Sequence, residues 1–196
     1  MKLLYLEIVA FLSGIIGVYL LTRCSLWNWF FGIITVSLYA IIFFNTKLYA
    51  DMGLQGVFLF FQFYGLYQWC YGHREKKPIT MQIIDYSTCF FLVLIVIILF
   101  SVISFILKHN TDSTTVFADA LVTALSLIAQ WMMSKKYLHH WILWIIIDLI
   151  SIGLYITKTL YLTALLYSLF MMLCIKGYYQ WRVVYNKSVW TNQSLA

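Results

Sequence analysis

Seven long apolar runs, separated by short clusters of charged and turn-forming residues, organise this 196-residue chain. They cover about 3–21, 29–44, 48–71, 86–107, 116–133, 137–157 and 160–179. The breaks include residues 23–28, Asn45-Thr46-Lys47, GHREKKPIT at 72–80 with Pro78, KHNTDSTT at 108–115, and Ser134-Lys135-Lys136. Each run is apolar around its whole circumference, as a helix surrounded by lipid must be. Each is about as long as the roughly 20 residues that cross a bilayer. A β-barrel would alternate apolar and polar positions in short segments, and no such alternation occurs here. The pattern therefore predicts an all-α membrane protein of seven transmembrane helices.

Composition agrees and narrows the classes. Apolar residues make up 63% of the chain and charged residues 10%, against about 45–50% and about 25% in soluble domains. That excludes a soluble enzyme and a disordered chain. With one proline and nine glycines the chain is not loop-rich. Seven spans leave no length for a soluble domain, so residues 1–196 are expected to form one integral membrane domain. The first run could imitate a signal peptide, but Glu7 interrupts it early and no A-x-A-like site follows, so it is read as a retained helix.

The net charge of +6 would suggest nucleic acid in a soluble protein. Here the basic residues sit between apolar runs and report topology, so no nucleic-acid partner is expected. Arg23, Arg74, Lys76, Lys77, Lys135, Lys136, Lys176, Arg182 and Lys187 fall on one side, and Lys2, Lys47, Lys108 and Lys158 on the other. The richer side should be cytoplasmic, which puts the N-terminus outside and the C-terminus inside.

Sliding the chain against itself by 112 positions exposes an internal repeat. Trp29, Ile33, Ile34, Leu48, Tyr49, Leu54 and Phe58 fall on Trp141, Ile145, Ile146, Leu160, Tyr161, Leu166 and Phe170. The cluster G-x-Y-Q-W closes the match, with Gly65, Tyr67, Gln68 and Trp69 on Gly177, Tyr179, Gln180 and Trp181. Helices one to three (about 3–71) are thus expected to repeat as five to seven (about 116–182), with the fourth (about 86–107) as a linker. An odd linker makes the repeats parallel about an axis along the membrane normal, the 3+1+3 arrangement of SWEET proteins.

Chemistry-bearing motifs are few. GxxxxGK[ST], HExxH, GxSxG and SxxK are absent, so neither a nucleotide motor nor a familiar catalytic centre is indicated. Cys24, Cys70, Cys89 and Cys174 are scattered without CxxC spacing. The adjacent His139 and His140 point about 100° apart on a helix and read as solvated, interfacial residues, so no metal or cofactor is expected.

The informative residues are polar and lie inside the spans. Asp148 sits halfway along the sixth, where a carboxylate costs about 2.5–3.5 kcal/mol and by default marks a functional site. Trp141 and Trp144 precede it by seven and four residues and share its helix face. Two indoles above a carboxylate suit a flat cationic heteroaromatic ligand, with Trp144 stacking on the ring and Trp141 closing the outer side. Taken singly, Trp141 would read as an interface anchor. Gln55 and Gln62 share a face of the third helix, Gln130 lies near the end of the fifth, and Tyr167 occupies the repeat position of Gln55. Amides so placed either join helices or bind a polar ligand. Glu7, near the outer end of the first helix, can snorkel to water and reads as topology.

The run WILWIIID at 141–148 matches the WxxWxxx[ND] signature of the PnuC family of bacterial vitamin transporters. KLYADMGLQGVFLFFQFYGLYQW at 47–69 resembles the family's second-to-third helix region, and SKKYLHHWILW its approach to the sixth. The resemblance covers about 29–181. It implies a homotrimer of seven-helix subunits in the inner membrane and facilitated diffusion of an unphosphorylated B vitamin, trapped by a cytoplasmic kinase. Nicotinamide riboside comes first among such vitamins, with thiamine or riboflavin for close relatives. The signature ends on Asp148 here, where nicotinamide riboside members commonly carry Asn. An Asp suits the pyridinium of that vitamin or the thiazolium of thiamine. Two other classes are set against this reading. A lipid-acting membrane enzyme would need an acid pair or acid–histidine pair that the spans lack. A binding subunit of a separately energised complex would show a small-xxx-small docking face, and none stands out.

Overall fold

Every terminus but one of the predicted runs falls within a few residues of a helix end. The computed structural model describes residues 2–47, 49–71, 81–110, 115–157, 159 and 161–193. Its helices are α1 (Lys2–Thr22), α2 (Trp27–Asn45), α3 (Tyr49–Tyr71), α4 (Tyr86–Asn110), α5 (Val116–Ser134), α6 (His140–Thr157) and α7 (Tyr161–Gln193). The exception is α7, expected to end near 179. Arg182, Asn186 and Lys187 mark where the apolar run stops, but polar side chains do not stop a helix. No Gly or Pro follows Gly177 to break it. At 33 residues it is about 50 Å long, well beyond the roughly 30 Å hydrocarbon core.

Among the described residues, five helices are long and apolar enough to cross a membrane: α1, α2, α4, α5 and α6. The other two, α3 and α7, are interrupted more often by polar residues along their length. These include Gln55, Gln62 and Gln68 on α3 and Thr163, Tyr167 and Ser168 on α7. The basic stretch at 72–80, which carries much of the predicted orientation, lies outside the described residues, as does Lys158.

Within the first half α1 packs on α2 and α2 on α3; within the second, α5 packs on α6 and α6 on α7. The halves meet where α1 touches α7 and α3 touches α5, and α4 leans on α5. The shift of 112 recurs in the backbone. Among the described residues, the non-glycine residues at positive φ are Cys24 (55°), Lys47 (61°), Lys136 (61°) and Thr159 (58°). They form two pairs 112 apart, and each lies two residues past the end of a helix. The left-handed conformation turns the chain out of the helix there and lets the Cys24 and Lys136 N–H groups donate to Leu21 and Met133 carbonyls at 2.9 and 3.1 Å.

Four buried tryptophans hold the halves together. The ring of Trp29 fills the space where Gly65 would carry a Cβ, and Trp141 does the same at Gly177. Trp29 meets Trp69 edge-on at 5.4 Å, and Trp141 meets Trp181 at 5.7 Å. Trp69 and Trp181 themselves lie 6.0 Å apart. A buried indole N–H seeks an acceptor. Trp69 Nε1 donates to the Met133 carbonyl of α5 at 3.4 Å, and Trp181 Nε1 to the Leu21 carbonyl of α1 at 3.0 Å. Leu21 and Met133 are again 112 apart, so the two bonds are reciprocal.

His140 departs from the expectation of a solvated histidine. It is completely buried, with Nδ1 2.7 Å from the Tyr137 carbonyl and its ring 4.6 and 4.8 Å from Trp141 and Trp181. The segment before α4 covers this turn. Gln82 N–H donates to the Lys136 carbonyl, and the Gln82 carbonyl accepts from Leu138 N–H. A long-range contact has taken an interfacial sequence position out of water.

Candidate functional site

Six helices, all but α4, surround a cavity of about 270 Å³. Gln62, Gln130, Trp141, Trp144, Asp148 and Tyr167, all singled out in the sequence, line it. Gln55 does not. It shares a face with Gln62, but two turns along α3 that face opens onto a second cavity.

The wall carries an unusual set of unpaired polar atoms. Asn28 Oδ1, Gln62 Oε1, Gln130 Nε2, Trp141 Nε1 and Asp148 Oδ2 have no hydrogen-bond partner. Their residues are only 5, 9, 4, 0 and 4% exposed. A buried polar group left unpaired costs about 1–3 kcal/mol, and three such acceptors and two such donors belong to residues that line one space. Cys174 and Asp148 both line this wall. Asp148 is the one charged residue on this wall; no lysine, arginine or histidine lines it among the described residues.

The aromatic pair divides its duties. Trp144 is half-buried and borders the open volume. Trp141 does not close the outer side as expected. It lies in the first turn of α6, a few residues after Lys135 and Lys136, and so at the basic end of the molecule. There it forms the cavity floor with Met133 and packs on Gly177 and Trp181. Cations seal this end from below: Lys136 Nζ lies 5.1 Å from the Trp69 ring, Lys135 Nζ 5.4 Å from Tyr64, and Arg23 5.0 Å from Tyr19. Burial holds the Lys136 ammonium below its ordinary pKa and pushes the Cys24 thiol up to about 11.

Sequence reasoning missed Asn28, Thr35, Cys174 and the glycines of the wall. A Cβ at Gly32 would run into the Gln62 amide, the far end of a flexible side chain, so the amide would have to shift to admit it. Two of these positions were accessible through the repeat, since Cys174 is the counterpart of Gln62, and Asn28 of His140. The second cavity, about 570 Å³, is bordered by Glu7, Tyr39, Gln55 and Tyr155. It shares Gly14, Thr35, Tyr167 and Phe170 with the first. Glu7, read as a topological residue, thus faces a cavity.

Residues 4–183 match the family described as nicotinamide mononucleotide transporter. The chain belongs to this family. It is similar to the nicotinamide riboside transporter PnuC of Escherichia coli K12, 24% identical over 90% of this chain and 84% of the relative. The proteins of that name from Haemophilus influenzae (28%, covering 90% and 79%) and Neisseria mucosa (27%, covering 90% and 72%) match as well. Among solved structures, the crystal structure of the vitamin B3 transporter PnuC matches with a TM-score of 0.75 and 25% identity, over 93% of this chain and 83% of that one. Membership of a transporter family, with five apolar helices, makes the chain a multi-pass transport protein of the bacterial inner membrane.

Proposed function

We propose that the chain takes up nicotinamide riboside by facilitated diffusion and binds it in the six-helix cavity. The observation that carries this is the pairing of Trp144 with a single unpaired carboxylate oxygen of Asp148 on a wall free of cations. Such a site suits a flat pyridinium, held by stacking and charge, with the unpaired amides of Gln62 and Gln130 turned to sugar hydroxyls. The names of the relatives support the riboside. The same wall argues against the mononucleotide of the family description. A phosphate dianion would enter a buried site whose one charge is negative, and an unpaired buried charge costs several kcal/mol.

The reading extends to architecture. Two parallel three-helix repeats, about 3–71 and 116–182, flank a linker, with the N-terminus outside and the C-terminus inside. The paired left-handed turns and the reciprocal indole bonds, all at the same shift of 112, support it, as does the pairing of α1–α7 with α3–α5 contacts. Within one domain the subunits associate as homotrimers, and a cytoplasmic kinase traps the vitamin. Uptake equilibrates substrate without concentrating it.

Asp148 itself favours a second reading, thiamine, whose thiazolium and aminopyrimidine both suit a carboxylate. Calorimetry on the purified protein separates these. Nicotinamide riboside should bind, thiamine and riboflavin should bind more weakly, and the mononucleotide should bind at least a hundredfold more weakly. Tighter binding of the mononucleotide would overturn the riboside reading, and tighter thiamine binding would replace the substrate. Proteoliposome uptake that concentrates substrate and collapses with an ionophore would sink facilitated diffusion.

A further inference from the structure

The second cavity is bordered by a carboxylate of its own. The residues bordering the two cavities include one acidic side chain each, Glu7 in the second and Asp148 in the first, and among the described lining residues neither cavity has a cation. Glu7 is exposed and lies in the first two turns of α1, close enough to the helix end for its side chain to reach towards water. The walls around it are aromatic. Tyr39 stacks on Phe43 at 5.9 Å, and Tyr155 lies 5.1 Å from Tyr167. Tyr167 in turn meets Phe170 edge-on at 6.2 Å, and both belong to the wall common to the two cavities. Gln55 adds an amide within the same space.

We propose that the second cavity is a low-affinity entry subsite for the cationic ring of the substrate, with Glu7 as its charged anchor and Tyr39, Tyr155 and Tyr167 as its aromatic walls. The inference rests on the cationic substrate argued above. Its logic is that of a carboxylate facing water with aromatic faces beside it. Such a place raises the local concentration of a flat cation without holding it as firmly as a buried site. Tyr167 is then the shared partition, with the ring leaving the Glu7 side for the face of Trp144 and Asp148. The roughly twofold larger volume of the second cavity suits a station where the ligand keeps part of its water.

The test is a charge series at position 7 in the full-length protein reconstituted in proteoliposomes, with initial influx of labelled nicotinamide riboside and calorimetric Kd measured side by side. One unit charge at 4–5 Å through water is worth about a fivefold change. Glu7→Gln should therefore lower kcat/KM about fivefold, Glu7→Lys should lower it further, and Glu7→Asp should stay near wild type. Kd at the central cavity should change less than twofold in all three, which also shows that the variants are folded. Influx that ignores the charge at position 7 would overturn the subsite, and so would a Kd that moves in parallel with influx. A wild-type protein that binds no cationic vitamin at all would instead overturn the substrate reading, a distinct and separately visible result.

Discussion

The two halves of the molecule share a scaffold and differ in chemistry. Trp29 sits on Gly65 as Trp141 sits on Gly177, and Trp69 bonds the second half as Trp181 bonds the first. Facing the cavity, the same shift of 112 pairs Gln62 with Cys174, Val36 with Asp148, Gly32 with Trp144 and Val18 with Gln130. Packing positions have kept their partners because a seat shaped for an indole accepts little else. Cavity positions are complementary instead of alike, which is what an asymmetric ligand requires: one side offers a ring and a charge, the other an amide and room.

The comparison breaks most readily at the glycines. Gly65→Leu and Gly177→Leu should each cost about 3 kcal/mol or more, because a side chain would enter the seat of an indole. Thermal unfolding in detergent should show similar losses for both. Gly153→Ala, with nothing within 4 Å, should leave stability unchanged or slightly raised. A large loss in only one half would mean that the two seats are not equivalent.

The cavity should respond unequally. Trp144→Ala removes a stacking face worth about 1–3 kcal/mol, by analogy with base stacking, or roughly five- to over a hundredfold in Kd. The unfolding temperature should hold, since Trp144 is only half-buried. Asp148→Asn should weaken a cationic vitamin at least about tenfold, since hydrogen bonds to charged groups are worth about 1.5–3 kcal/mol. Its repeat counterpart Val36→Ala should change Kd less than twofold. Calorimetry reads both; unchanged affinity in Asp148→Asn would make Asp148 a hydrogen-bond acceptor and no more.

The smallest effect sharpens the symmetry. Trp69→Phe and Trp181→Phe each delete one indole N–H and should cost about 0.5–1.5 kcal/mol. The 3.0 Å bond of Trp181 should be worth more than the 3.4 Å bond of Trp69. Equal losses in unfolding experiments would show that the rings, and not their N–H groups, join the halves.

Much of this was legible before any fold was known. Seven apolar runs, their breaks and the Trp144–Asp148 face follow from length, hydrophobicity and the 3.6-residue period, which act within one helix. The shift of 112 came from matching residues such as Trp29 and Gly65 to Trp141 and Gly177. What each match does for packing was not visible, because an indole and the glycine that admits it lie on different helices. Glu7 and His140 show the same limit. Both read as residues near a membrane surface, yet one borders a cavity and the other is buried against Trp141 and Trp181. The end of α7 was misplaced for a local reason, since leaving lipid and ending a helix are different events.

The sequence by itself determined that the chain is helical and membrane-embedded, that it matches itself at a shift of 112, and that it carries a carboxylate on the same face of α6 as two indoles. These properties depend on neighbours within a few turns, or on comparison of the chain with itself. Only the tertiary structure decided which face of each helix meets which neighbour. It brought Asn28, Gln62, Gln130 and Asp148 from four helices around one space and left their polar atoms unpaired. It also put Gln55 and Glu7 in a separate cavity. A helix surrounded by lipid gains little hydrophobic energy by choosing one partner over another. The choice therefore rests on close fit, such as an indole against a glycine, and such fits appear only when the helices are assembled.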